Sequence, residues 1–138
     1  MPRPQPKYDI ENFIKDCQDP KNIELEYGVL ASASRDFDLQ TRKELLEFIS
    51  KGRMESLEFV NSIPYRKSSD IPPPFCDAFT FTSGYSSGYI SIFVSKGSKE
   101  WVIKSFHRSN EFDNSLAFAL KKAGLLFRNR KKGGSNGK

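Results

Sequence analysis

The stretch FCDAFTFTSGYSSGYISIFVSKGSKEWVIKSFH, residues 75–107, reads as three strands in succession: Phe75 to Ser83, Gly88 to Ser95 and Glu100 to Phe106. Turn-forming residues separate them. The joints Gly84-Tyr-Ser-Ser87 and Lys96-Gly-Ser-Lys99 are short enough for antiparallel hairpins, so the run predicts a meander. Upstream, Leu57 to Ile63 alternates in the same way and ends at Pro64. A polar loop containing Pro72-Pro73-Pro74 then leads into the meander.

Helical signals lie on either side. Thr41 with Glu44 has the spacing of a capping box, Leu45, Leu46, Phe48 and Ile49 form an apolar stripe, and Gly52 stands where a helix end favours a left-handed residue. Tyr8, Ile10, Phe13 and Ile14 predict a helix from about Asp9 to Cys17 that stops before Asp19-Pro20. Ile23 to Ser34 stays open, because Ile23 to Tyr27 alternates like a strand while the Ala/Ser stretch after it has no clear period. Beyond the meander, Asp113 or Asn114 caps a last expected helix through Leu116, Phe118, Ala119 and Leu120 to Leu126, lying on the sheet. The expected fold is α+β, an antiparallel meander of three to four strands packed against two to three helices. Residues 1–8 are expected to be a flexible lead, 9–127 one domain and 128–138 a flexible basic tail.

With 138 residues there is room for a single core, and twelve Phe with five Tyr argue against global disorder. The net charge of +5 is unevenly spread. Residues 121–138 carry seven bases and no acid, leaving 15 bases against 17 acids in the first 120 residues. The body is slightly acidic and the tail, with Arg128, Arg130, Lys131 and Lys132, is a basic arm. Such an arm either solubilises the chain or adds salt-sensitive affinity for nucleic acid. No run of eighteen apolar residues occurs and the N-terminus lacks an apolar leader core, so no membrane partner and a cytoplasmic address are expected. Cys17 and Cys76 lack the spacing of a zinc site or a disulfide framework, and with one histidine no metal is expected.

His107 is the conventional proton-transfer residue. It ends the segment Trp101-Val-Ile-Lys-Ser-Phe-His107, and imidazole can take a proton from a hydroxyl or give one to a leaving oxygen. Lys104 and Arg108 are near in sequence and suit phosphate charge, although strand alternation places Lys104 on the face opposite Trp101, Ile103, Ser105 and His107. Tyr65, Arg66 and Lys67, with Tyr85 and Tyr89 flanking a hairpin turn, combine cations with aromatic faces on which unpaired bases stack. A lone histidine at a strand end also serves as ordinary surface, and aromatic and basic residues at hairpin tips as a solvated rim. The chain has no Walker loop, Gly-x-Gly-x-x-Gly, Gly-x-Ser-x-Gly or His-Glu-x-x-His pattern, and no cofactor is expected.

Residues 55–109, through Leu57-Glu-Phe-Val-Asn-Ser-Ile63, Phe75-Cys-Asp-Ala-Phe79, Gly88-Tyr-Ile-Ser-Ile-Phe-Val94 and Trp101-Val-Ile-Lys-Ser-Phe-His107, resemble the MqsR-type mRNA-cleaving toxins within the wider RelE and barnase-like ribonuclease group. The resemblance implies a compact antiparallel sheet against helices, metal-independent RNA cleavage through the ribose 2′-hydroxyl, and a protein antitoxin as partner. Tyr89 falls where the pattern has a functional tyrosine. His107 falls where it has a lysine, and barnase-like enzymes use a late histidine as general acid. Asn61 and Cys76 depart from the pattern, standing where it has a lysine and a glutamine. The leading expectation is thus an endoribonuclease with His107, Tyr89, Lys104 and Arg108 at its centre. RNA would be held by Asn61, Tyr65, Arg66, Lys67, Tyr85 and the tail. A non-catalytic protein-binding module of immunity or adaptor type, or a nucleic-acid-binding protein without catalysis, are the rival expectations.

Overall fold

The computed structural model describes residues 5–67 and 71–109. The chain divides into two compact units, Met1–Arg108 and Ser109–Lys138; the expected last helix and basic tail lie outside the described residues.

In the first unit the elements run α1 (Ile10–Asp16), a 3-10 turn (Pro20–Asn22), β1 (Ile23–Leu25), α2 (Val29–Phe37), α3 (Arg42–Ser50), β2 (Glu55–Pro64), β3 (Phe75–Ser83), β4 (Ser86–Val94) and β5 (Trp101–Arg108). They make an α+β fold whose five-stranded sheet has the order β1-β5-β4-β3-β2. The strands β2 to β5 form the antiparallel meander that the sequence predicts. The fifth strand comes from the open segment, where Ile23–Leu25 pairs parallel to Trp101–Ile103. Three residues are too few for a periodic signal, and their partner lies more than seventy residues away.

Local chemistry accounts for the helices. Asp9 caps α1 by accepting the Glu11 amide, and at α3 Thr41 accepts from the Glu44 amide while the Glu44 carboxylate accepts from the Thr41 amide. These bonds satisfy amides that the first turn leaves unpaired. Gly52, just past α3, has φ 75°, a left-handed conformation that costs glycine little. The guanidinium of Arg42 donates to the carbonyls of Pro20 and Ile23, tying α3 to the segment that carries β1.

The main core lies between the helices and one sheet face. Phe13, Val29, Ala33, Leu45, Leu46 and Ile49 from the helices meet Phe79, Phe81, Ile90, Ile92, Ile103 and Phe106 from the strands. At one end Phe37, Phe48, Phe81 and Phe106 cluster with ring centroids 5.3 to 6.4 Å apart. At the other, Trp101 packs edge-on against Phe13 and Tyr8 and donates from Nε1 to Asp16 Oδ2 at 2.8 Å. The opposite sheet face carries a smaller cluster of Cys76, Phe93 and Val102, with Tyr8 and Tyr65 packed against it. Among the described residues no helix is long and apolar enough to cross a membrane.

One irregularity corrects the sequence reading of β5. Ser91 pairs with Ser105 but Ile92 pairs with Ile103, so Lys104 is an extra residue in the ladder. Such a bulge breaks the two-residue alternation. Ile103 and Phe106 therefore both enter the main core, whereas Ser105 and His107 turn to the opposite face. Lys104 is on that face too, its ammonium 5.5 Å from the centre of the Tyr65 ring. It is not on the far side from His107.

Candidate functional site

The residue pair Tyr89 and His107 lies directly across β4 and β5. Their rings are stacked, centroids 5.1 Å apart and planes 17° from parallel. Because β5 runs through Arg108, His107 sits within the strand, half-buried, and its backbone is held by the ladder. Nδ1 lies 2.7 Å from the carbonyl oxygen of Arg108. A carbonyl can only accept, so in the neutral ring Nδ1 carries the proton and Nε2 keeps its lone pair. The stack and this hydrogen bond together fix the ring's orientation and tautomer.

On the other side of β5 the short strand β1 covers only Trp101–Ile103. The Arg108 amide, facing away from β4, is satisfied instead by Asp36 at the end of α2, at 2.9 Å to Oδ2. Arg35 forms a two-point pair with the same carboxylate, at 2.8 and 3.0 Å. These contacts, the Arg35 hydrogen bond foremost, lower the Asp36 pKa to about 2, with the Arg108 amide and the charge of His107 acting in the same direction. Asp36 is thus a fixed anion near the imidazole. Sequence reading missed it because 72 residues separate it from Arg108, and nothing local to Asp36 marks that contact.

The Tyr89–His107 row continues through Thr80 to Glu58 on β2. Three strand spacings of ~4.8 Å put Glu58 about 14 Å from His107 along the backbone, too far for the two to share one proton. Tyr85, at the β3–β4 turn beyond Tyr89, is fully exposed, and the neighbouring Gly84, with φ 61°, is exposed too. Arg108 is exposed at the end of β5. Tyr85, Tyr89, His107 and Arg108 therefore belong to one end of the β4–β5 pair.

The remaining expected residues stand elsewhere. Asn61 is half-buried and lies opposite Ala78, two positions along β3 from the Thr80 that faces Tyr89. Tyr65 packs its ring against Phe93 at 5.1 Å and donates its hydroxyl to Glu26 Oε1 at 2.8 Å. Burial, with that hydrogen bond, pushes the Tyr65 phenol up to about 12. Its ring is thus engaged in packing, and Arg66 and Lys67 follow it in an exposed turn. Pro64, beside this group, pairs with Phe75, five residues along β3 from Thr80, which corresponds to roughly 17 Å of strand. Lys104 reaches toward Tyr65; the cations at the His107 end are Arg35, paired with Asp36, and Arg108, which is opposite Gly88 and so starts from the other sheet face at the exposed end of β5. Arg128, Arg130, Lys131 and Lys132 lie outside the described residues.

Burial pushes the Cys17 thiol up to about 12 and also raises that of Cys76, so both are held protonated and unreactive at neutral pH. Among the described residues, no group of three or more His, Cys, Asp or Glu is placed to hold a metal ion. Comparison with models of protein families, with curated proteins and with solved structures finds no match to this chain.

Proposed function

We propose that the protein is an endoribonuclease of toxin type that cleaves single-stranded RNA through the ribose 2′-hydroxyl, with no metal in the step. The observation that carries this reading is the oriented imidazole: His107 stacked on Tyr89, Nδ1–H donated to the Arg108 carbonyl, and the Nε2 lone pair left to act as a base.

Nε2 takes the 2′-hydroxyl proton, O2′ forms its bond to phosphorus, the P–O5′ bond breaks, and water supplies the proton that the leaving O5′ requires. The products are a 2′,3′-cyclic phosphate and a 5′-hydroxyl. Asp36 stabilises the imidazolium formed in the step, and Arg108, reaching round the exposed end of β5, offsets charge on the phosphate. The exposed Tyr85 ring supplies a stacking surface for a flanking base. RNA is the partner in this scheme, and an antitoxin-type protein would neutralise the activity by covering this end of the sheet.

The test is cleavage of a mixed-sequence single-stranded RNA in the presence of chelator. Wild type should leave cyclic-phosphate ends, His107→Ala should lose about 10²–10⁴-fold in rate, and Tyr89→Ala should lose part of that by freeing the ring. Intact RNA with the wild type, or equal cleavage by His107→Ala, rules the reading out.

A further inference from the structure

The two edges of the sheet are unequal. β1 has three residues, whereas β2 has ten, and among the described residues no strand pairs with the outer side of β2. Backbone amides and carbonyls along such an edge form a template for another strand. The exposed side chains beside it are ordered by type. Glu55 and Glu58 come first, then Val60 at 46 % exposure and Ile63 at 55 %, then Arg66 and Lys67 in the following turn. Among the described residues none of these four charges is in an ion pair.

We propose that β2 is a self-association edge. Two copies pair β2 antiparallel to β2 about a two-fold axis near Asn61, joining two five-stranded sheets into one of ten strands. Antiparallel pairing reverses the acidic, apolar, basic order. The Glu55 and Glu58 end of each copy then meets the Arg66 and Lys67 end of the other, and Val60 and Ile63 from both copies share one apolar strip. Parallel pairing would set like charges opposite one another, so the charge order selects the orientation.

The details of the edge select the partner. Register shifts between Glu55 and Glu58 and between Phe59 and Asn61, with Pro64 at the end, make β2 a poor match for a generic strand. A second copy carries the same twist and the same interruptions. A two-fold contact of this kind also closes at two copies and leaves no free β2 edge for further growth.

Sedimentation velocity of the full chain over a concentration series tests the proposal, with circular dichroism to verify that each variant folds. Wild type should be a concentration-dependent dimer. Val60→Lys and Ile63→Lys, each placing a charge in the shared strip, should weaken it about tenfold or more. The pair Glu55→Lys with Glu58→Lys should weaken it, as should Arg66→Glu with Lys67→Glu, and combining all four should restore it. A wild type that remains monomeric up to its solubility limit, a dimer insensitive to these variants, or a four-fold exchange that fails to restore association overturns the proposal.

Discussion

Gly88 and Phe81 are cross-strand partners so close that a Cβ at Gly88 would lie 2.2 Å from the Phe81 Cζ. The Phe81 ring lies over the glycine because Phe37, Phe48 and Phe106 fill the rest of its surroundings. Glycine is required here for close approach, one residue before Tyr89. Gly88→Ala should therefore destabilise the fold by about 3 kcal/mol in urea denaturation, at the upper end of overpacking costs. In a Phe81→Leu background the same change should cost clearly less, because the obstructing ring is gone. Additive effects of the two substitutions would contradict the close contact.

The capping box of α3 gives a second, independent measurement. Thr41→Ala removes the acceptor of the Glu44 amide and should cost about 1 kcal/mol. Thr41→Ser keeps the oxygen and should cost much less. Equal losses for the two would assign the effect to the methyl group rather than to the cap.

Asp36 links stability to pH. Its pKa falls from 3.8 to about 2 on folding, so its contribution is fully present above about pH 4 and is lost as pH falls toward 2. Because Arg35 is largely exposed, the contribution is on the order of 1 kcal/mol after allowing for solvent screening. Asp36→Asn should be less stable than wild type at pH 6, with the gap closing by about pH 2. A gap unchanged across that range would show that the charge on Asp36 contributes nothing.

Both thiols should resist modification in the folded protein. Cys17 is 2 % exposed and Cys76 5 %, and burial raises the pKa of each. A chromogenic disulfide reagent at pH 8 should label neither quickly in native protein and both at once in denaturant. Rapid native labelling would mean that the residues covering them open far more readily than the packing implies.

What was legible in the sequence was local. The helix near Asp9 to Cys17, the Thr41 cap, the stripe of α3 and the span Phe75–Ser83 appear as expected, because each depends on residues a few positions apart. The α+β class followed from those elements. Within the candidate site, His107 was legible as the lone histidine ending a strand and Tyr89 as an aromatic beside a hairpin turn, while their stacking came from the β4–β5 register.

Tertiary structure decided the rest. β1 is a strand because β5 is beside it, and three residues hold no period of their own. Lys104 bulges where the core takes both Ile103 and Phe106, which turns His107 toward Tyr89. Asp36 accepts from the Arg108 amide beyond the end of the short β1. Caps and alternation are set by neighbours in the chain, whereas register, bulges and strand-edge contacts are set by partners that only folding brings near.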